Sequence, residues 1–554
     1  MNTERQPPPL ILTGATVYSS AEAPPTKAAL LLAGGKIAFV GEEAEARKRA
    51  PGASVAELPG AFVYPGFVDA HAHLLNLGIA RETLVLRGKR KAEILALVRD
   101  AAAESDPGTW LRGRGWDQNV WPDRDFPTAA ELSAAAPLNP VALTRVDGHA
   151  LWMNEDALRR AGIAERTSDP DGGRIERDTS GKPTGILADR AMDGVERVIP
   201  ERSEADLRRG FAAGAKACAA AGLTGIGDAS GYGRTEIGVL RAMAREGALP
   251  LRVYATVGGA SRDVSSFFAD GPFEEGRVTV RAVKILADGA LGSRSAALLA
   301  DYSDAPGNRG ILVTSAADMN EATLTAVRAG WQVWIHAIGD RANRLALDAC
   351  EKALAAVKPK DARLRIEHAQ HLAPEEIARF AKLGVVASVQ PTHATSDMPW
   401  AEARVGGERI RRAYAWRTLM AAGARLAGGS DFPVERESPL LGLYAAITRQ
   451  DPDGRPAEGW YPEQRMTRRE ALQLFTGDAA YAAFAEARRG RIAPGFDADL
   501  TILDRDLLAD GLPPTEILKS KIVMTLVGGE IVHPVAFAER SRIAVGRDVR
   551  RDVE

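Results

Sequence analysis

The chain has 554 residues, with 71 Lys+Arg against 73 Asp+Glu, a formal charge of -2 and a hydrophobic content of 45%. That length exceeds one small core and suggests roughly two to four domains; the near-zero charge excludes a global field favouring nucleic acid, and the basic run "RGKRK" (87–91) reads as a solvated face. No apolar stretch approaches the ~20 residues of a membrane span, and "MNTERQPPPLIL" lacks the basic start and long apolar core of a secretory signal, so the chain reads as cytoplasmic unless a signal was removed before residue 1.

In chain order, residues 1–62 carry short β-type runs, "LILTGATVYS", "AALLLAGGKIAFVG" and "ASVAELPGAFVYPG", with a hairpin expected at Gly34-Gly35. Residues 63–78 hold an apolar run that ends in "GFVDAHAHLL" and reads as the first barrel strand. Residues 79–197 are rich in Trp, Pro and Asp and contain "DPDGGRIERDTSGKPTGIL", a hairpin pattern; they read as an inserted α+β domain. From 198 to 485, β-runs alternate with Ala- and Leu-rich helical stretches, bringing the strands to about eight and predicting a (β/α)8 barrel, with an open doubly wound sheet as the alternative. Residues 486–554 return to strands, "GFDADLTILD" and "KIVMTLVGGEIV" with a turn at Gly528-Gly529, and finish in the charged tail "AERSRIAVGRDVRRDVE", expected to be loosely held. Strand-rich segments at both ends imply one small β-sandwich built from the two termini. Cys218 and Cys350 make no Cys-x-x-Cys pattern and read as buried apolar residues.

The polar residues that bear chemistry fall at the C-terminal ends of the β-runs, where barrel enzymes place their active sites. In "DAHAH", His71 and His73 alternate with Ala72, so both imidazoles face one side of a strand. His336 follows "WQVWI", His368 follows "RLRIE", Asp431 follows "ARLAGGS", and Lys284 ends "VTVRAV". Any of these read alone fits a satisfied core residue; together, imidazole and carboxylate from several strands suit one or two divalent ions. Asp431 could bind an ion and also carry a proton. A lysine ammonium repels cations, so Lys284 either pairs with Asp288 or has added carbon dioxide to become a carbamate, which ligates as a carboxylate does.

"PGFVDAHAHL", "VKILADGALGSRSAAL", "HAIGDRAN", "RIEHAQ" and "GSDFPVE", in this order, resemble the amidohydrolase superfamily, in the YtcJ-like branch (amidohydrolase family 3) that includes N-substituted formamide deformylases; "DGHALWMNEDAL" and "PTGIL" extend the likeness into the insertion. The resemblance implies a metal-bearing α/β barrel with a terminal β-sandwich and an inserted domain over the mouth. It implies two Zn ions, or Mn or Fe in their place, with His71, His73 and Asp431 on the first, His336 and His368 on the second, and carboxylated Lys284 between them. It also implies a hydrolase of amide-type C–N bonds, in which metal-activated hydroxide attacks a carbonyl and Asp431 delivers the proton to the leaving nitrogen.

N-substituted formamides and N-acyl compounds are the substrates this suggests, with a metal-dependent esterase or lactamase, or a silent barrel used for binding, as alternatives. A serine hydrolase ranks low because no Gly-x-Ser-x-Gly elbow is present. Trp116 is expected as an aromatic wall for a small-molecule substrate, Asp117 as a polar anchor, and His149 as a donor near the carbonyl or else a helix-entry residue. Ser293 and Arg294 are expected at the mouth, Arg294 meeting a carboxylate or bracing its loop through backbone carbonyls. His393 is a further substrate-side candidate, whereas His371, placed at a helix start, and His533 read as surface or structural. The β domain and exposed helices leave room for a homodimer.

Overall fold

The structure is a computed structural model that describes residues 7–81, 83–200, 202–534 and 543–544. Apart from Ile543–Ala544, the charged tail lies outside the described residues. Eight parallel strands form the barrel: β1 (Phe67–Ala72), β2 (Leu223–Tyr232), β3 (Arg252–Gly258), β4 (Val278–Leu286), β5 (Gln332–Ala337), β6 (Arg365–His368), β7 (Val386–Val389) and β8 (Leu426–Gly428), with the short Phe273–Glu275 antiparallel to β4. Each pairs with the next in sequence, the order expected when every crossover is a right-handed β-α-β unit. The seam between β8 and β1 is bridged just past the strands. There the Asp431 N–H donates to the His71 carbonyl at 2.7 Å, and the Asp69 carboxylate accepts from the Ser430 N–H and, at 2.6 Å, from its hydroxyl.

The barrel interior follows from strand alternation. Residues Asp69 and His71 of β1, Ala282 and Lys284 of β4, Gln332, Trp334 and His336 of β5, and Arg365 and Glu367 of β6 take alternate positions and so share the inner face of their strands. Below the mouth the floor is aromatic and cationic: Trp334 stacks on Tyr254 with centroids 5.6 Å apart, and the Arg365 guanidinium lies 3.5 Å from the Trp334 ring centroid. The outer face packs on the helices. Behind β1, the helix Leu74–Ala80 crosses Glu204–Ala220 through glycines; a Cβ on Gly78 would stand 1.8 Å from the Gly210 carbonyl oxygen. Gly78→Ala is therefore expected to cost about 1–3 kcal/mol through overpacking, measurable as a lowered urea midpoint.

Two sheets built from both chain ends face each other beside the barrel. One contains Leu10–Thr13, Ala29–Ala33, Lys36–Gly41, Ser54–Glu57 and Ile543–Ala544; the other contains Thr16–Val17, Thr26–Lys27, Phe62–Pro65, Leu500–Leu503, Ile522–Val527 and Glu530–Pro534. Leu12, Leu30, Val63, Leu500 and Leu526 form their shared core. Phe62–Pro65, read from sequence as the start of the first barrel strand, belongs to this second sheet, and β1 begins only after Gly66. The tight turns at Gly34-Gly35 and Gly528-Gly529 need positive φ at both residues, which glycine supplies without steric cost.

The segment between β1 and β2 carries a mixed six-stranded sheet: Leu84–Val85, Leu111–Trp116, Val141–Arg145, Ala150–Met153, Gly173–Arg177 and Pro183–Asp189. Cys218 and Cys350 are free and buried. Among the described residues no helix is long and apolar enough to cross a membrane.

Candidate metal centre

A cavity of ≈ 530 Å³ opens at the C-terminal ends of the barrel strands and is roofed by the inserted sheet. His71, His73, Lys284, His336, His368 and Asp431 all line it. Alternation along the strands aims His71, Lys284 and His336 there. His368 and Asp431 need more, because each lies at or just beyond a strand end, and each has positive φ, 72° and 60°. That conformation costs a non-glycine residue of order 1–3 kcal/mol, and it turns both side chains into the mouth.

His71 is fully buried, and its Nδ1 meets the Glu367 carboxylate, which can only accept; the Nε2 lone pair is thereby left facing the cavity. Glu367 is gripped by Arg365 through Nε at 2.8 Å and a second nitrogen at 2.9 Å. Burial raises the Glu367 pKa, but Arg365 and then His71 outweigh it and hold the carboxyl well below its usual range. For His71, burial and Lys284 press downward while Asp431 and Glu367 more than offset them, leaving it above its ordinary value. His73 Nδ1 lies 3.1 Å from the Ser230 hydroxyl, and its Nε2 is 3.0 Å from Asp431 Oδ1. Asp431 Oδ1 is also 3.5 Å from His71 Nε2, yet it has no partner with hydrogen-bond geometry.

The rings of His336 and His368 are 4.6 Å apart, and burial, followed by neighbouring imidazoles, lowers both well below the ordinary histidine value. Both are accordingly neutral, the form that ligates a metal. His336 Nε2 lies 3.3 Å from the Gly289 carbonyl, whereas His368 Nδ1 has no partner. Two sets of three donor atoms each lie within 4.8 Å of one another: His71, His73 and Asp431, and His368, His393 and Asp431. The second set contains His393 where the sequence reading has His336. His393 sits in the helix Pro391–Asp397 just after β7, its ring stacked on His368 at 5.7 Å and its Nε2 3.7 Å from Asp431.

Lys284 is buried at the cavity floor and makes no hydrogen bond or ion pair among the described residues. The pairing with Asp288 weighed from the sequence is absent. Asp288 accepts the N–H groups of Ala297, Ile338 and Gly339 and stands 3.6 Å from His336 instead. Burial lowers the Lys284 amine below its ordinary value, against the pull of Glu367 and Asp431.

The substrate-side candidates fare unevenly. Trp116 is corrected: it is fully buried in the core of the inserted domain, packed with Trp121 and Trp152, its Nε1–H donating to the Leu143 carbonyl at 2.8 Å. The cause is a β-bulge. Gly115, at φ 112°, is an extra residue between Arg114 and Trp116, so Trp116 joins the inward face of Leu111 and Gly113 rather than the face of Arg114. Ser293 is corrected too, being buried with its hydroxyl on the Ala290 carbonyl and Ser295. Arg294 neither lines the cavity nor braces carbonyls; it pairs with Asp304 at 3.0 Å.

Asp117 does line the cavity, but Arg145 holds its carboxylate. His149 also lines it, before Ala150–Met153 and not at a helix entry, with its ring 5.1 Å from that of His336 and Nδ1 2.6 Å from Asp189. Burial lowers His149, but Asp189, then Asp147 and Asp288, overcome this and lift it to about 8. His371 is buried, not on the surface, three residues ahead of the helix Pro374–Leu383. His533 lies in the terminal sheet, in Glu530–Pro534.

Three important residues were not singled out from the sequence. Arg365 and Glu367 alternate in a short, fully buried strand, Arg365–His368, and two charges two residues apart there must face the same side together. Arg114 alternates with glycines in "RGRGW", a weaker signal.

The chemistry of these donors agrees with comparisons to known proteins. The model of the amidohydrolase family matches residues 55–533. YtcJ of Bacillus subtilis (strain 168) is 35% identical over 484 residues, covering 86% of this chain and 90% of that protein. The N-substituted formamide deformylase of Arthrobacter pascens is 31% identical over 497 residues, again 86% of this chain and 90% of the relative. The crystal structure of an uncharacterized metal-dependent hydrolase from Pyrococcus horikoshii OT3 superposes with a TM-score of 0.74 at 29% identity, covering 90% of this chain and 98% of that one. With most of its length matched by the family and by relatives above 30% identity, this chain is a hydrolase of the amidohydrolase family.

Proposed function

We propose that the protein hydrolyses the C–N bond of a small amide-type substrate and depends on divalent metal to do so, N-substituted formamides and N-acyl compounds being the candidates that likeness to a formamide deformylase suggests. One observation carries the reading. His71 Nε2, His368 Nδ1, His393 Nε2 and Asp431 Oδ1 are buried around one cavity and have no hydrogen-bond partner. Leaving buried polar atoms unsatisfied costs about 1–3 kcal/mol each, and a cation shared among them removes that cost. His71, His73 and Asp431 would hold one ion; His368, with His336 or His393, would hold a second, and Lys284 as its carbamate would join them. Bound there, such an ion supplies a Lewis acid that polarises a carbonyl and brings the pKa of water from 15.7 to about 7.

The side chains do the rest. Burial raises the Asp431 carboxyl, but His71 and His73 overcome this and hold it well below its usual range, so it is a carboxylate at neutral pH. It takes a proton at Oδ1 or Oδ2 and hands it to the departing nitrogen, which would otherwise leave as a very poor amide anion. His149, kept protonated by Asp189, donates to the carbonyl oxygen as negative charge grows on it.

As purified, the protein is expected to contain between one and two equivalents of zinc, manganese or iron by elemental analysis. Removing the metal with a chelator should abolish hydrolysis of a panel of N-formyl, N-acyl and lactam compounds, and adding metal back should restore it. A folded protein that purifies without metal and hydrolyses none of them would favour the binding-protein alternative.

A further inference from the structure

The walls of the cavity carry four arginines, and three are neutralised from within the protein. Arg145 is bound by Asp117 and Asp147, Arg87 lies 3.7 Å from Glu435, and Arg190 lies 3.7 Å from Asp193. Arg114 differs. It projects from Leu111–Trp116 on the face that Trp116 vacates at the bulge, and its guanidinium rests against Gly148, next to His149. Among the described residues it has no carboxylate partner. One of its nitrogens donates to the Val146 carbonyl at 3.3 Å, and its Nε is buried with no acceptor. A guanidinium offers five N–H donors in a fork matched to a carboxylate, and this one uses a single donor on a long bond.

We propose that Arg114 anchors a carboxylate carried by the substrate, making N-formyl or N-acyl amino acids and related anionic amides the preferred class; this rests on the hydrolase reading above. A monoanion suits the site better than a phosphate dianion, because Arg145 with its two aspartates leaves one net negative charge on the same wall and the Asp431 carboxylate also acts on Arg114. Anchoring the far end of the substrate at Arg114 holds its amide beside His149 and the His336–His368 rings, so binding energy away from the reacting carbon orients that carbon.

The test compares N-formyl-DL-phenylalanine, N-formyl-DL-leucine and N-formyl-DL-alanine with their primary amides, which are neutral and nearly isosteric. In the metal-loaded enzyme the acids should exceed the amides in kcat/KM by about tenfold or more, chiefly through KM. Arg114→Met should bring that ratio to within about twofold, and Arg114→Lys should restore part of it, a point charge lacking the fork. Calorimetric binding of the same pairs to chelator-treated protein reads the anchor without turnover and should give the same ordering. Acids that bind tighter through Arg114 without being hydrolysed would refute the hydrolase reading while upholding the anchor. Amides hydrolysed as well as acids, a preference that survives in Arg114→Met, or failure of every acid to bind would each overturn the anchor. If Arg114→Met does not fold, a ratio in Arg114→Lys equal to that of the unaltered protein has the same meaning.

Discussion

Asp431→Asn is expected to lower kcat by about 10²–10⁴-fold, the range for loss of a positioned proton carrier, while metal content stays within about twofold of the parent. The carboxamide keeps an oxygen where Oδ1 stands, 3.0 Å from His73 Nε2 and 3.5 Å from His71 Nε2, and so keeps a donor for an ion. It cannot accept and release a proton at neutral pH. Because the lost interaction belongs to the transition state, kcat and kcat/KM should fall together, with KM little changed. Elemental analysis of the variant alongside steady-state kinetics checks this. Unimpaired turnover would remove Asp431 from proton transfer, and loss of both metal and activity would reduce it to a ligand.

Lys284→Ala is expected to lose metal and to lower activity at least about 100-fold, and short carboxylic acids such as acetate or propionate should restore part of both. Lys284 makes no ion pair among the described residues, although Glu367 and Asp431 act on it from a distance, and an ammonium would oppose any cation held by the surrounding imidazoles. Burial favours the neutral amine. Such an amine would add carbon dioxide, forming a C–N bond and releasing one proton, and the product would be a carboxylate on the lysine stem. The truncated side chain leaves space for a free carboxylate to take its position, so rescue should saturate with acid concentration and should not occur in His73→Ala. Rescue of metal binding can be followed separately from turnover, which distinguishes a bridging carboxylate from a lysine needed only for packing. Absence of rescue by any small acid, with metal retained, would dismiss the carbamate.

The origins of these features differ. Strand alternation alone aims His71, Lys284 and His336 inward, since a period of two is a property of any extended chain, and the β-run and helix alternation carries the barrel. Local turn chemistry likewise makes the hairpins at Gly34-Gly35 and Gly528-Gly529 legible. What depends on distant contacts was not legible. The grip of Arg365 and Glu367 on His71 joins β6 to β1, residues 296 positions apart in the chain. His393 enters the donor cluster because the helix after β7 begins beside Asp431. A single bulge at Gly115 takes Trp116 off the face that Arg114 keeps toward the cavity, and the partnerships of Arg294 with Asp304 and of Asp117 with Arg145 decide which charges remain free. The sequence by itself therefore determined the barrel fold and the inward aim of His71, Lys284 and His336, which follow from short-range periodicity. Only the tertiary structure decided which charged groups are already satisfied, because an ion pair depends on which residues the folded chain brings within a few ångströms of each other.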